Sequence, residues 1–98
     1  MIALDYSGIK TLSTFAIPIL CKTIELKNQY AKRFSDAGIE IRPMIAGNIQ
    51  RQPFYSKYVK NKVELPNTDF VDQNGFYCGN YPELNSDDLQ IIINATSK

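Results

Sequence analysis

The stretch GIEIRPMIAGNIQRQPFYSKY, residues 38–58, gathers the side chains best equipped to recognise a ligand. Ile39, Ile41 and Met44 to Ala46 have the character of a core strand. The chain then turns polar at Gly47, Asn48, Gln50, Arg51 and Gln52, is closed by Pro53, and continues directly into Phe54 and Tyr55. An arginine offers several N–H donors in one planar fork, and aromatic rings offer flat apolar faces. Such a loop is either an ordinary connection or one half of a binding site whose other half lies elsewhere.

No self-contained active site accompanies it. Histidine is missing, which removes the usual general base and the commonest triad partner. No glycine pair brackets a Lys-Ser or Lys-Thr, so there is no P-loop. Gly75 and Gly79 have glycine spacing without the helix that would give it meaning. Asp87 and Asp88 are better explained as carboxylates at a helix start than as a metal site. Asp69, Asp72 and Glu83 cannot be placed across a cleft from sequence. Cys21 and Cys78 lack C-x-x-C spacing and are expected to be buried free thiols; without histidine they make no zinc site. Asn94-Ala95-Thr96 matches a glycosylation acceptor at a helix end and is taken as coincidence. The expected catalytic, cofactor-binding and metal-ligating residues are therefore none.

Composition narrows the setting. Ninety-eight residues with 44% hydrophobic and 21% charged content fit one small globular domain spanning 1–98. The net charge of +1 gives no general pull toward nucleic acid or membrane, although Lys57, Lys60 and Lys62 make residues 57–62 locally basic. The longest apolar run, Phe15 to Cys21, is strand-sized, and the N-terminus lacks a signal peptide's order. A cytoplasmic location is expected.

The elements that must hold the loop follow from periodicity. Residues 1–11 have no clear period, and Leu12 to Leu20 read as a strand whose Pro18 suggests an edge position or a strand end. Leu26, Tyr30, Phe34 and Ala37 form one helical stripe, with Thr23 as N-cap and Gly38 just past the end. Ile39 to Ala46 form a second strand, followed by a long connection from Gly47 to Leu65. Pro66 opens a short helix that buries Phe70 and Val71 and ends at Gly75. Phe76 to Cys78 form a third strand, with Gly75, Gly79 and Asn80 read as turn residues around it. A last helix, capped by Asn85 or Ser86, buries Leu89, Ile92 and Ile93. The sum is an α+β fold: a small mixed or antiparallel sheet of about three strands covered by helices. Three short strands barely make an independent sheet, so an exposed apolar surface and a missing neighbour are expected.

The same segments, taken in order, resemble a known family. GIEIRPMIAGNIQRQP, then LPNTDFVDQNGFYCGNYPELNSDDLQIII, with STFAIPIL upstream, are similar to the C-terminal part of the DegT/DnrJ/StrS family over residues 12–96. These are fold-type I pyridoxal-phosphate enzymes acting on nucleotide-linked keto sugars. The glycine-asparagine loop without a histidine looks more like the 4-keto-6-deoxyhexose 3-dehydrase branch, which includes lipopolysaccharide deoxysugar enzymes, than the sugar aminotransferases. Those dehydrases use the amine form of the cofactor to remove a sugar hydroxyl.

The resemblance implies the small domain of a much longer enzyme. The large domain, which supplies the lysine or histidine that works on the cofactor, its acid partner and most of the phosphate cup, has no counterpart here. The chain thus implies no cofactor of its own, and pyridoxal or pyridoxamine phosphate in the parent. Carried over by position, Arg42, Asn48, Arg51, Phe54 and Tyr55 would face the nucleotide sugar. All but Arg51 have a plainer alternative: an ion pair with Glu40 or a neighbouring acid for Arg42, a turn for Asn48 after Gly47, and packing for the two aromatics. The implied partners are the large domain or another subunit, and a homodimer is open. The alternatives are a non-catalytic binding or regulatory module that kept this fold, or an unrelated α+β domain binding through residues 47–62.

Overall fold

The computed structural model describes residues 1–45 and 47–97. Three strands, β1 (Ala16–Leu20), β2 (Ile41–Pro43) and β3 (Gly75–Gly79), form one antiparallel sheet in the order β1-β3-β2. Four helices accompany it: α1 (Ile24–Asp36), α2 (Pro53–Tyr58), α3 (Pro66–Asn74) and α4 (Ser86–Thr96). The last strand in sequence lies between the first two, so β1-α1-β2 is a split β-α-β unit. Pro18 is on an edge strand, where its missing N–H costs the ladder least. The α+β architecture is the one expected.

Register decides which side chains fill the core. Ile17 and Ile41 both lie opposite Cys78, and Ile19 lies opposite Phe76, all on the face that α1 and α4 cover. Phe34 of α1 meets Phe76 edge to face with ring centroids 5.3 Å apart. Tyr30, Cys21 and Ala95 complete the buried cluster. Pro18, Tyr77 and Arg42 share the opposite face.

The helix ends obey their local chemistry. Thr23 accepts a hydrogen bond from Leu26 N–H at 3.2 Å. Gly38, at φ +78°, closes α1 in a Schellman turn, with Gly38 N–H donating to Ser35 O and Ile39 N–H to Phe34 O. Asn85 and Asp88 form a reciprocal capping box at 2.9 and 3.1 Å.

Several details differ from the sequence expectations. The first strand begins at Ala16 rather than Leu12. The second is cut to Ile41–Pro43, because Ile39 is drawn into the helix-closing turn; the expected end at Ala46 lies outside the described residues. Phe70 is exposed, because α3 turns Asn74 inward and half-buries Val71. Leu89 and Ile93 are exposed as well: α4 docks through Ile92 and Ala95, which leaves their stripe rotated away. Gly75 ends α3 but is no turn. It is buried, extended and already in β3, where a Cβ would meet Val71 O at 2.8 Å and Met44 Cε at 3.0 Å.

The chain is loosely gathered around this core. Its accessible surface is 7460 Å², against about 5,650 Å² for a compact monomer of 11.1 kDa. Its radius of gyration is 15.5 Å, where a compact chain of this length has about 13 Å. The surplus surface includes Phe15, Ile45, Tyr58, Val63 and Ile93, each more than half exposed. Among the described residues, no helix is long and apolar enough to cross a membrane.

The two strand glycines make a paired test. Gly75→Ala is expected to cost about 1–3 kcal/mol by urea denaturation, as overpacking does. Gly79→Ala, whose Cβ would meet only the Tyr81 ring at 3.7 Å, should stay near wild type.

Candidate functional site

The loop after β2 is built on Gly47. Its φ of +55° turns the chain, and a Cβ there would collide with the Asp72 carboxylate of α3. Asn48 follows, buried, and caps a single 3₁₀ turn (Ile49–Arg51) by accepting from Gln50 N–H at 3.1 Å. Its amide donates to Asp69 Oδ1 at 2.7 Å. Arg51 grips the same carboxylate with two bonds of 2.9 Å, Nε to Oδ1 and Nη2 to Oδ2. Asp69 sits in the first turn of α3, opened by Pro66 at the first helical position.

This arrangement sets the charge state of the site. The Arg51 hydrogen bonds first, and that of Asn48 second, pull the Asp69 carboxyl from 3.8 down to about 2. Arg51 is in turn held more firmly protonated, chiefly by Asp69, with Glu64 and Asp72 adding smaller pulls. Gln50, also buried, clamps the chain after α2: its Nε2 donates to Val63 O at 2.9 Å, and Val63 N–H donates to its Oε1 at 2.7 Å.

Asn48 and Arg51 are thus brought together, with their inward donors spent on Asp69. The space they enclose with Lys62 and Val63 is about 90 Å³, well below the roughly 300 Å³ of the smallest usual ligand pockets. Phe54 is exposed and Tyr55 half-buried on the adjoining α2. Arg42 stands apart on β2, paired with Glu40 at 2.5 Å, which is the ion pair considered as its plainer alternative. It lines a cleft of about 580 Å³ at the end of the sheet, beside Phe15, Tyr77, Tyr81 and Asp88.

That cleft does not suit pyridoxal phosphate. Its charged lining is Glu40 with Arg42, already paired, and Asp88, already in the capping box; it has no lysine, and the chain has no histidine. No group among the described residues has three His, Cys, Asp or Glu side chains placed for a metal. Cys21 and Cys78 are buried free thiols, pushed toward the protonated form by that burial, which makes them poor nucleophiles. They are not joined to each other by a disulfide.

Sequence reasoning did not find Asp69, Gln50 or Asp72. Asp69 announced itself only as a carboxylate three residues after Pro66, with its partners 18 and 21 positions away. Nothing in residue type marks which acid in the chain an arginine will reach.

Comparison with known proteins follows from the same segments. The family model for the DegT/DnrJ/EryC1/StrS aminotransferase family matches residues 4–97. The lipopolysaccharide biosynthesis protein RfbH of Salmonella typhimurium is 35% identical over 85 residues, which covers 83% of this chain and 19% of that protein. The GDP-4-keto-6-deoxy-D-mannose 3-dehydratase of Escherichia coli O55:H7 is 33% identical over 60 residues, 57% of this chain and 15% of that protein. The chain therefore spans less than a fifth of the length of these curated relatives. No solved structure matches it.

Protonating Asp69 should loosen the loop. Because its pKa is lowered by folding, its contribution is present above the ordinary carboxylate value of 3.8 and is lost as pH falls through about 2. A thermal melt series across that window should show a steep stability loss in wild type and a shallower one in Asp69→Asn, which starts less stable. Removing the Gln50 clamp with Gln50→Ala should cost about 1–3 kcal/mol and speed tryptic cleavage at Lys60 and Lys62.

Proposed function

The chain belongs to the DegT/DnrJ/EryC1/StrS aminotransferase family, and from that premise we propose that it is the small C-terminal domain of a nucleotide-sugar enzyme. Members of this family are in general pyridoxal-phosphate-dependent. The parent reaction we assign is 3-dehydration of a nucleotide-linked 4-keto-deoxysugar in lipopolysaccharide sugar biosynthesis. The names of the two curated relatives and the histidine-free loop support that branch.

The observation that carries the reading is the surplus surface. The excess of about 1,800 Å² over a compact monomer is more than the roughly 600–1,500 Å² that neighbouring domains typically cover between them, so a second domain has ample surface to cover. A large domain seated there would supply the cofactor and the residue that works on it. The chain alone is then inactive, since its own cleft does not suit the cofactor.

Within such an enzyme we assign Arg42, Asn48, Arg51, Phe54 and Tyr55 to the wall facing the nucleotide sugar. Domain interfaces are where clefts of this kind form. Asn48 would act mainly by holding the loop's shape. Arg51 would offer the outer N–H groups of a guanidinium that Asp69 has already fixed in place. Arg42, Phe54 and Tyr55 would supply the more adaptable contacts.

Two measurements test this. Pyridoxal phosphate added to the chain alone should leave the cofactor spectrum unchanged; a Schiff-base band would overturn the assignment. Mixing the chain with a relative's large domain, stripped of its own matching segment, should restore sugar dehydration. Arg42→Ala should then weaken substrate affinity by about 10-fold, equivalent to one charge-assisted hydrogen bond, without altering the fold.

A further inference from the structure

Residues 59–65, VKNKVEL, have the alternation of a half-buried strand: Val59, Val63 and Leu65 on one side, Lys60, Lys62 and Glu64 on the other. The chain enters the segment extended, with φ/ψ of −124°/119° at Val59, and bends toward α3 at Leu65. No sheet takes it up. Val59, Val63 and Leu65 are 38%, 67% and 39% exposed. Among the described residues, Lys60, Lys62 and Glu64 make no backbone hydrogen bond.

One edge of the segment is nevertheless occupied. The Gln50 amide bonds both N–H and C=O of Val63, as a neighbouring strand would. Backbone groups of successive residues in an extended chain point to opposite sides. Lys62 and Glu64 therefore present their N–H and C=O groups away from Gln50, along an open edge.

We propose that residues 59–65 pair in antiparallel fashion with the same segment of a second copy of this chain, centred on Val63. In that register Lys62 of each copy lies opposite Glu64 of the other, and these two pairs exchange the backbone hydrogen bonds. Val63 meets its own counterpart across the two-fold axis as a non-hydrogen-bonded pair, which suits a residue whose polar groups are already spent on Gln50. Asn61 lies opposite Leu65. Moving the centre to Lys62 would set two lysines face to face, and like charges directly opposite are unfavourable. The adjacent opposite charges of Lys62 and Glu64 are thus self-complementary only in an antiparallel pair of identical segments centred between them. A two-fold contact of this kind closes on itself and leaves no free edge to propagate.

The contact is short, well under the roughly 1,200 Å² of a standard interface, so association is weak, with a dissociation constant on the order of 10–1,000 µM. It draws on Val63, which also belongs to the surplus surface assigned above to a large domain, so the pairing is a property of the chain alone and not of an assembled enzyme that covers that residue.

Sedimentation equilibrium up to about 1 mM, near the weak end of that range, should show a monomer–dimer equilibrium. Lys62→Glu or Glu64→Lys should each weaken dimerisation at least about 10-fold, worth roughly 1.4 kcal/mol, and the double exchange should restore it. All of these residues are exposed, so far-ultraviolet circular dichroism should be unchanged. Val63→Cys should form an inter-chain disulfide under mild oxidation, because non-hydrogen-bonded pairs bring Cα atoms to about 4.5 Å. Lys60→Cys should not, and the buried native thiols do not compete. A chain that stays monomeric, a dimer indifferent to the charge exchanges, or equal cross-linking by the two cysteine variants would each overturn the proposal.

Discussion

Phe76 lies on the middle strand of a three-stranded sheet and meets Phe34 edge to face, and the remainder of the domain is arranged to keep that contact dry. The strand reaches the middle because α3 ends at Gly75 with no room for a side chain between Val71 and Met44. The chain can then enter the sheet at once, with β1 and β2 pairing on either side. The α1 helix must end where it does for Ile39 and Ile41 to reach the same core, and the Schellman turn at Gly38 accomplishes that. Among the described residues a core of seven buried apolar side chains results, enough to hold one sheet face and too small to cover the other apolar side chains.

The loop after β2 achieves order by a different route. It has little apolar material of its own to bury, so polar groups hold it. Asn48 and Arg51 converge on Asp69, and Gln50 closes on the backbone of Val63. Buried polar side chains are tolerable only when satisfied, and here no buried side-chain nitrogen or oxygen among the described residues lacks a partner. Such a network fixes shape more than it adds stability. Fixing a loop's shape in advance reduces the conformational freedom it would lose on any contact. The same network ties the segment after α2 to the loop through the backbone of Val63.

Family membership and surface excess point the same way. The chain corresponds to under a fifth of its curated relatives, and it exposes more surface than a self-sufficient domain of its mass. Its titratable groups tell a consistent story, since the strongest perturbation, at Asp69, arises from a pair that organises the loop. Perturbed groups often mark catalytic sites, yet ion-pair networks perturb them equally well.

Much was legible in the residues alone. Thr23, Gly38, Pro66 and Asn85 marked helix ends because capping is local chemistry, decided within a few residues. Pro18 narrowed its strand to an edge position or a strand end, because a missing N–H is a property of one residue, and pairing made it the edge. The order of short motifs carried the family. Tertiary structure decided what depends on distance through space. It chose Asp69 as the partner of Arg51, although Glu64 and Asp72 are also within electrostatic range. It turned Phe70, Leu89 and Ile93 outward, because a helix offers several apolar faces and only docking selects one. It separated Arg42 from Asn48 and Arg51, so that residues only nine positions apart line different spaces. Local preference is written in residue types; which of several satisfactory contacts is made is settled only when the whole chain packs.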